Sequence, residues 1–241
     1  MEFKILNEPL NFQEAIEYFK DKLPIPLKEY LKIADEWKTR AFTVSGYSSA
    51  EVLNKFMEAL QKALEEGTTL EVFRKEMNSF LTTKGYEGLT PFQADNIFRI
   101  NIQTSYNVGH YKQMTDPEVI KYRPYWQYDA VMDDDTRPTH RGLDGKVFPA
   151  DHPFWDTWYP PNGYRCRCRV KSLNQRYVDK KNLKIETETP EFVKDKNGNL
   201  VPLRAAEGFD RNPAKNAWEP DVSKFPEPLR KAFEKRQSEM R

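Results

Sequence analysis

Cys166 and Cys168 stand one residue apart in the run Arg165-Cys-Arg-Cys-Arg169, and they are the only two cysteines of the chain. His140 and His152 lie upstream, so both thiols and two of the three histidines fall between residues 140 and 168. Thiolate sulfur and imidazole nitrogen are donors that zinc takes in tetrahedral sets of four. His140, His152, Cys166 and Cys168 match the ligand count of one structural Zn²⁺, either as two cysteines with two histidines or as two cysteines with one histidine and a carboxylate. Such a closed set leaves no position for water, which argues against hydrolytic use. The packing alternative makes the same cysteines small buried hydrophobes. A disulfide between residues two apart would close a strained ring. The residues alone leave ligation and packing both open.

Residues 165–173 alternate and read as a strand. That places Cys166, Cys168 and Val170 on one face and Arg165, Arg167, Arg169 and Lys171 on the other. The basic face offers contact with DNA or an acidic partner, or internal pairing with Asp133, Asp134 and Asp135. The three aspartates read as a Mg²⁺ or Ca²⁺ site or, in the simpler account, as a solvated turn. In that account Asp135, Thr136 and Thr139 cap a helix beginning near Arg137-Pro138, with His140 in its first turn. There is no G-x-S-x-G and no phosphate-binding glycine loop. A Cys166–His140 nucleophile is the enzymatic reading, though a second thiol two residues away fits ligation better. His110 reads as an ordinary surface or packing residue. The cluster Pro153-Phe-Trp155…Trp158-Tyr-Pro160-Pro161 reads as an anchor for a long loop, with partner docking as the alternative.

The elements that must position these residues fall into two textures. Residues 1–120 are helical in pattern and carry a net charge of −4, whereas 121–181 are aromatic, loop-rich and carry +4. A net charge of +1 for all 241 residues hides that split. Apolar spacing predicts a helix over Leu27–Phe42. A second helix starts at Ser48 or Ser49 and stops at Gly67; a third starts at Thr68 or Thr69. A fourth, longer helix opens at Thr90-Pro91, an N-cap followed by proline. Residues 122–132 end as a strand, and 192–203 form a hairpin around Asn197-Gly198. A charged C-terminal helix over residues 225–241 turns Leu229, Phe233 and Met240 inward. The fold class is therefore α+β: a helical N-terminal half, then a small loop-rich β-containing module with a hairpin and a short C-terminal helix. The boundaries are 1–89, 90–213 and 214–241. The mean hydropathy of −0.84 and the absence of any long apolar run predict no membrane partner. The first ten residues show no secretory signal.

Four ordered stretches resemble a known family, the phage Mu F-like minor head proteins. They are Arg99-Ile-Asn-Ile-Gln-Thr-Ser-Tyr-Asn107-Val-Gly-His110; Asp133-Asp-Asp-Thr-Arg137-Pro-Thr-His140 with Leu143-Asp-Gly-Lys-Val-Phe148; Asp151-His-Pro-Phe-Trp155 with Pro160-Pro-Asn-Gly-Tyr-Arg-Cys166-Arg-Cys168; and Gly208-Phe-Asp-Arg-Asn212-Pro213. The resemblance spans residues 90–213, and the first ninety residues match it less distinctively. It implies a phage or prophage minor head protein acting in capsid assembly. Its implied partners are portal and capsid or scaffold proteins. In that setting the basic face of Arg165, Arg167, Arg169 and Lys171 is a candidate contact for packaged DNA, with internal pairing to Asp133, Asp134 and Asp135 the favoured alternative. It places the protein in the virion interior and, during assembly, in the host cytoplasm. Related sequences carry Cys at the position of His140, an exchange a zinc ligand tolerates. Two positions depart: His110 replaces a frequent Arg, and His152 a frequent acid. The second departure brings in Asp133, Asp135 or Asp144 as substitutes for the fourth ligand. The rival reading is a small effector enzyme, a nuclease or an ADP-ribosyltransferase-like activity carried in the head. The expectation is a structural protein rather than an enzyme.

Overall fold

The computed structural model describes residues 12–215, 217 and 222–239. The chain begins with α1 (Gln13–Lys20), β1 (Leu23–Pro24), α2 (Leu27–Tyr30), α3 (Asp35–Lys38) and β2 (Ala41–Phe42). Three helices follow: α4 (Ala50–Glu66), α5 (Leu70–Thr83) and α6 (Pro91–Met114). The later half holds α7 (Pro117–Tyr122), β3 (Tyr125–Asp129), α8 (Pro138–Leu143), β4 (Val147–Pro149), α9 (Phe154–Trp158) and β5 (Arg169–Leu173). It ends with α10 (Gln175–Lys180), β6 (Phe192–Lys194), β7 (Leu200–Pro202) and α11 (Glu227–Glu239). The architecture is α+β, with the helices concentrated in the first half and small sheets in the second.

Capping chemistry sets the helix bounds. Gly67 closes α4 in the left-handed conformation at φ +70, open to glycine without cost. The Thr69 hydroxyl accepts from the Val72 N–H at the start of α5. At α6, Thr90 and Gln93 form a reciprocal capping box with Pro91 in the first turn. The expected helix over residues 27–42 is not formed. Leu23–Pro24 pairs in parallel with Ala41–Phe42, so the chain between must fold back. It does so through two single-turn helices and extended backbone at Pro26 and Ala34.

Two apolar cores share α1 and α6. The first holds Ile16 and Phe19 of α1, the inner faces of α4 and α5, and Ala94 of α6. The second holds Tyr18 of α1, Val108 and Met114 of α6, and the β module. Residues 12–89 and 90–213 thus meet along a common helix pair. Gly109 permits it: a Cβ there would lie 2.7 Å from the Ala15 backbone nitrogen. In the module the sheet order is β4-β3-β5, all antiparallel. Trp126, Phe148, Phe154, Trp155, Trp158 and Tyr159 fill its core, so the 153–161 cluster anchors the loop inward. The hairpin β6–β7 forms as expected, with Gly198 at φ +84 and the Asp195 carboxylate accepting from the Asn197 and Asn199 N–H groups. In α11, Leu229 is buried and Phe233 half-buried against β1 and β2; Met240 lies outside the described residues.

Candidate metal centre

Three elements converge on the cysteines. From α6, the Gln103 and Asn107 side-chain amides donate to the Cys168 carbonyl at 2.8 and 3.4 Å. From α8, His140 enters buried to 3% exposure, in the first turn as expected. The third element is the loop carrying Cys166 and Cys168 themselves. It is not the strand the alternation predicts, because pairing begins only at Arg169. Arg165 adopts φ +59, a left-handed turn that a strand does not allow. Both thiols nevertheless point inward, with Cys166 at 4% and Cys168 at 2% exposure.

The cation side chains of this stretch are spent on carboxylates. Arg165 Nε donates to Asp95 at 2.6 Å and its guanidinium lies over the Phe92 ring. Arg167 grips Asp133 with two nitrogens. Arg169 and Lys171 share Asp129 at 2.5 and 2.6 Å. Of the acidic triplet only Asp133 bonds these cations, with Asp135 acting on Arg167 through its charge; Asp95 and Asp129 supply the other partners. The expected caps of α8 are not used either: its N-cap is Arg137, which makes no side-chain capping bond, and the Thr136 hydroxyl turns back to the Val131 carbonyl. His110 is partly buried on α6, and desolvation followed by Arg169 lowers its pKa.

His140 Nδ1 lies 3.4 Å from Cys168 Sγ and 3.8 Å from Cys166 Sγ. The three donor atoms all lie within 4.8 Å of one another. In a tetrahedral zinc site, a Zn–S bond of about 2.3 Å and a Zn–N bond of about 2.0 Å place sulfur and nitrogen about 3.5 Å apart. The two observed distances bracket that edge. The Cys166 thiol is pulled well below its ordinary pKa, first by the hydrogen bond from Cys168 and then by His140, against the opposing effect of burial. Cys168 is pushed up, first by its hydrogen bond to Cys166, then by burial, then by the negative charge of the Cys166 thiolate beside it. Burial holds the Tyr128 hydroxyl protonated; it donates to Asn162 at 3.0 Å, and the Tyr128 ring meets His140 edge-on.

His152 stands apart from this trio. Its Nδ1 accepts from the Phe154 N–H at 3.0 Å, and its Nε2 faces the Thr187 carbonyl at 3.1 Å. With Nδ1 as acceptor, Nε2 carries the proton, and both ring nitrogens are engaged. A small opening of about 10 Å³ reaches the three donors past Val131, Asp135, Thr136, Arg137, Arg165 and Arg167. That is the room one water-sized ligand needs. Asp95, Gln103, Asn107 and Arg137 support the site without any signal in their local sequence. The partners that tie them to the cysteine loop lie 27 to 70 residues away.

The family described as phage Mu protein F-like protein matches residues 54–171, from within α4 to within β5. The chain belongs to the phage Mu F-like family. It is 35% identical over 190 residues to the putative capsid assembly protein F of Escherichia phage Mu, covering 72% of this chain and 43% of that protein. It is 36% identical over 165 residues to the Mu-like prophage FluMu F protein of Haemophilus influenzae, covering 64% and 39%. An uncharacterized protein of Methanocaldococcus jannaschii is 25% identical over 171 residues, or 66% of the chain and 25% of that protein. The chain thus spans less than half the length of these relatives. No solved structure matches it. The match begins at residue 54, within α4, and α4 and α5 share one core with α6. Among the described residues, no helix is long and apolar enough to cross a membrane.

Proposed function

We propose that the protein works in phage or prophage head morphogenesis, docking portal and capsid or scaffold proteins during assembly. The carrying observation is the 35% identity to a protein named for capsid assembly, extending over 72% of the chain. Residues 54–171, the family match, include all three members of the His140–Cys166–Cys168 cluster. The protein then works inside the virion and, before that, in the host cytoplasm. Affinity capture from infected or induced cells tests this: head or portal proteins should co-purify, and the chain should be found in assembled particles or their precursors. Absence from both overturns the reading.

A structural Zn²⁺ held by His140, Cys166 and Cys168 is the second part of the proposal, supported by the 3.4 and 3.8 Å spacings. The ion would supply a crosslink between α8 and the cysteine loop in a module with little regular structure. Metal analysis of the purified chain should give about one zinc, and a Cys168→Ser variant should lose it. For DNA contact, each of Arg165, Arg167, Arg169 and Lys171 already pairs with Asp95, Asp133 or Asp129, although the four cations share three carboxylates and a positive balance remains. We therefore assign these cations to internal pairing first. The nuclease alternative would need His140 to reach a substrate, and its near-complete burial between two thiols opposes that.

A further inference from the structure

We propose that Asp135 supplies the fourth ligand of the zinc site, closing a tetrahedral set with His140, Cys166 and Cys168. This rests on the zinc reading above. The neighbouring carboxylates are accounted for. Asp129 holds Arg169 and Lys171; Asp133 gives both oxygens to Arg167; Asp144 accepts from the Ala130 N–H at 2.8 Å. His152 has both nitrogens engaged elsewhere. Asp135 is the carboxylate in the wall of the small opening onto the three donors. Among the described residues its oxygens accept no hydrogen bond; only its backbone N–H is used, donating to Asp133.

The turn that carries Asp135 is fastened to the cysteine loop from both sides. Arg167, the residue between the two cysteines, grips Asp133. Arg137 donates to the Tyr164 carbonyl at 2.6 Å. Arg167 and Arg137 thus tie the turn under Asp135 to the cysteine loop. The Asp135 carboxylate stands outside the group of three donors that lie within 4.8 Å of one another, so ligation requires its side chain to swing from the wall into the opening. The charge also closes. Two thiolates neutralise Zn²⁺, and a carboxylate leaves one negative charge on the site. Arg137 lies in the same wall, bonded to a neutral carbonyl and without a carboxylate partner among the described residues. It offsets that charge. An opening of about 10 Å³ admits one carboxylate oxygen or one water, so a metal-bound water is the competing occupant.

The test uses the full chain, with zinc affinity measured by competition against a chromophoric chelator and with Co²⁺ as a spectroscopic probe. Asp135→Asn should weaken zinc at least as much as losing a group behind a ligand does, about 10–100-fold, and should change the visible Co²⁺ bands. Asp134→Asn should leave both unchanged. Asp135→Glu, which keeps a carboxylate on a longer stem, should recover part of the affinity. X-ray absorption on the wild-type zinc form, independent of any variant's folding, should show two sulfur and two nitrogen or oxygen neighbours with no exchangeable water. Zinc bound with equal affinity and an unchanged Co²⁺ spectrum in Asp135→Asn overturns the assignment and leaves the three-ligand zinc site standing. A wild-type chain that binds no zinc overturns both.

Discussion

Arg165 donates to Asp95 at 2.6 Å across seventy residues of sequence, fastening the left-handed turn before Cys166 to the second turn of α6. Asp95 also accepts from Arg99 at 2.5 Å, and its side chain is only 10% exposed. One carboxylate thus sets where the cysteine loop meets the helix whose Gln103 and Asn107 hold the Cys168 carbonyl.

Removing that charge should loosen the loop. Asp95→Asn should cost about 1–3 kcal/mol at pH 7, the range for a charged hydrogen-bonded group. Burial raises the Asp95 pKa, but the hydrogen bonds from Arg99 and Arg165 lower it more, to below its usual 3.8. A carboxylate whose folded pKa is depressed contributes stability above its unfolded value and loses it as pH falls through the folded value. The gap between wild type and Asp95→Asn should therefore be full at neutral pH and close in strong acid. Urea melts at pH 7 and below pH 4 measure it; a gap independent of pH would contradict the ion-pair account.

Metal removal is the next measurable change. EDTA should lower the melting temperature of the wild type and leave Cys168→Ser unaffected. An ion present at a thousand times its Kd stabilises the fold by about 4 kcal/mol. Differential scanning calorimetry with and without chelator reads the difference.

Gly142 is the contact between α8 and the hairpin. A Cβ at this position would fall 2.5 Å from Val193 Cβ and 2.8 Å from the Lys194 carbonyl oxygen. Gly142→Ala should push β6 off α8 and cost roughly 1–3 kcal/mol, the usual scale of overpacking. Val193→Ala should recover part of that in the double variant, and proteolysis at the Asn197-Gly198 turn should speed up in the single one.

Lys22 is buried at 6% exposure beneath the Tyr18 ring, and its ammonium donates to the Thr39 carbonyl at 2.9 Å. Burial, then Arg40 and Arg211, lowers its pKa to about 7. An unfolded lysine keeps its ordinary value of 10.5, so between these limits the unfolded chain binds more protons and stability rises with pH. Lys22→Met should be more stable than wild type at pH 7, since the Tyr18 hydroxyl still donates to Thr39. Its advantage should shrink by roughly 2 kcal/mol from pH 7 to pH 9, at about 1.4 kcal/mol per unit. Paired chemical melts across that window check the sign.

What the sequence determined by itself is local. Caps and stops are read by residues within four positions of one another, so Gly67, Thr69, Thr90-Pro91 and Gly198 mark their boundaries correctly. The His140–Cys166–Cys168 trio was legible from residue type, because few other side chains suit a soft ion. What tertiary structure decided is whatever depends on a distant partner. The spacing over residues 27–42 fits a helix, yet the pairing of Leu23–Pro24 with Ala41–Phe42 folds that stretch back. The alternation over residues 165–173 fits a strand, yet Arg165 turns the chain to meet Asp95, and the ladder waits for Arg169. His152 has the right chemistry for a ligand, but its neighbours Phe154 and Thr187 claim both of its nitrogens. Periodicity records which face of a segment is apolar; it carries no information about which residue seventy positions away will supply the opposite charge.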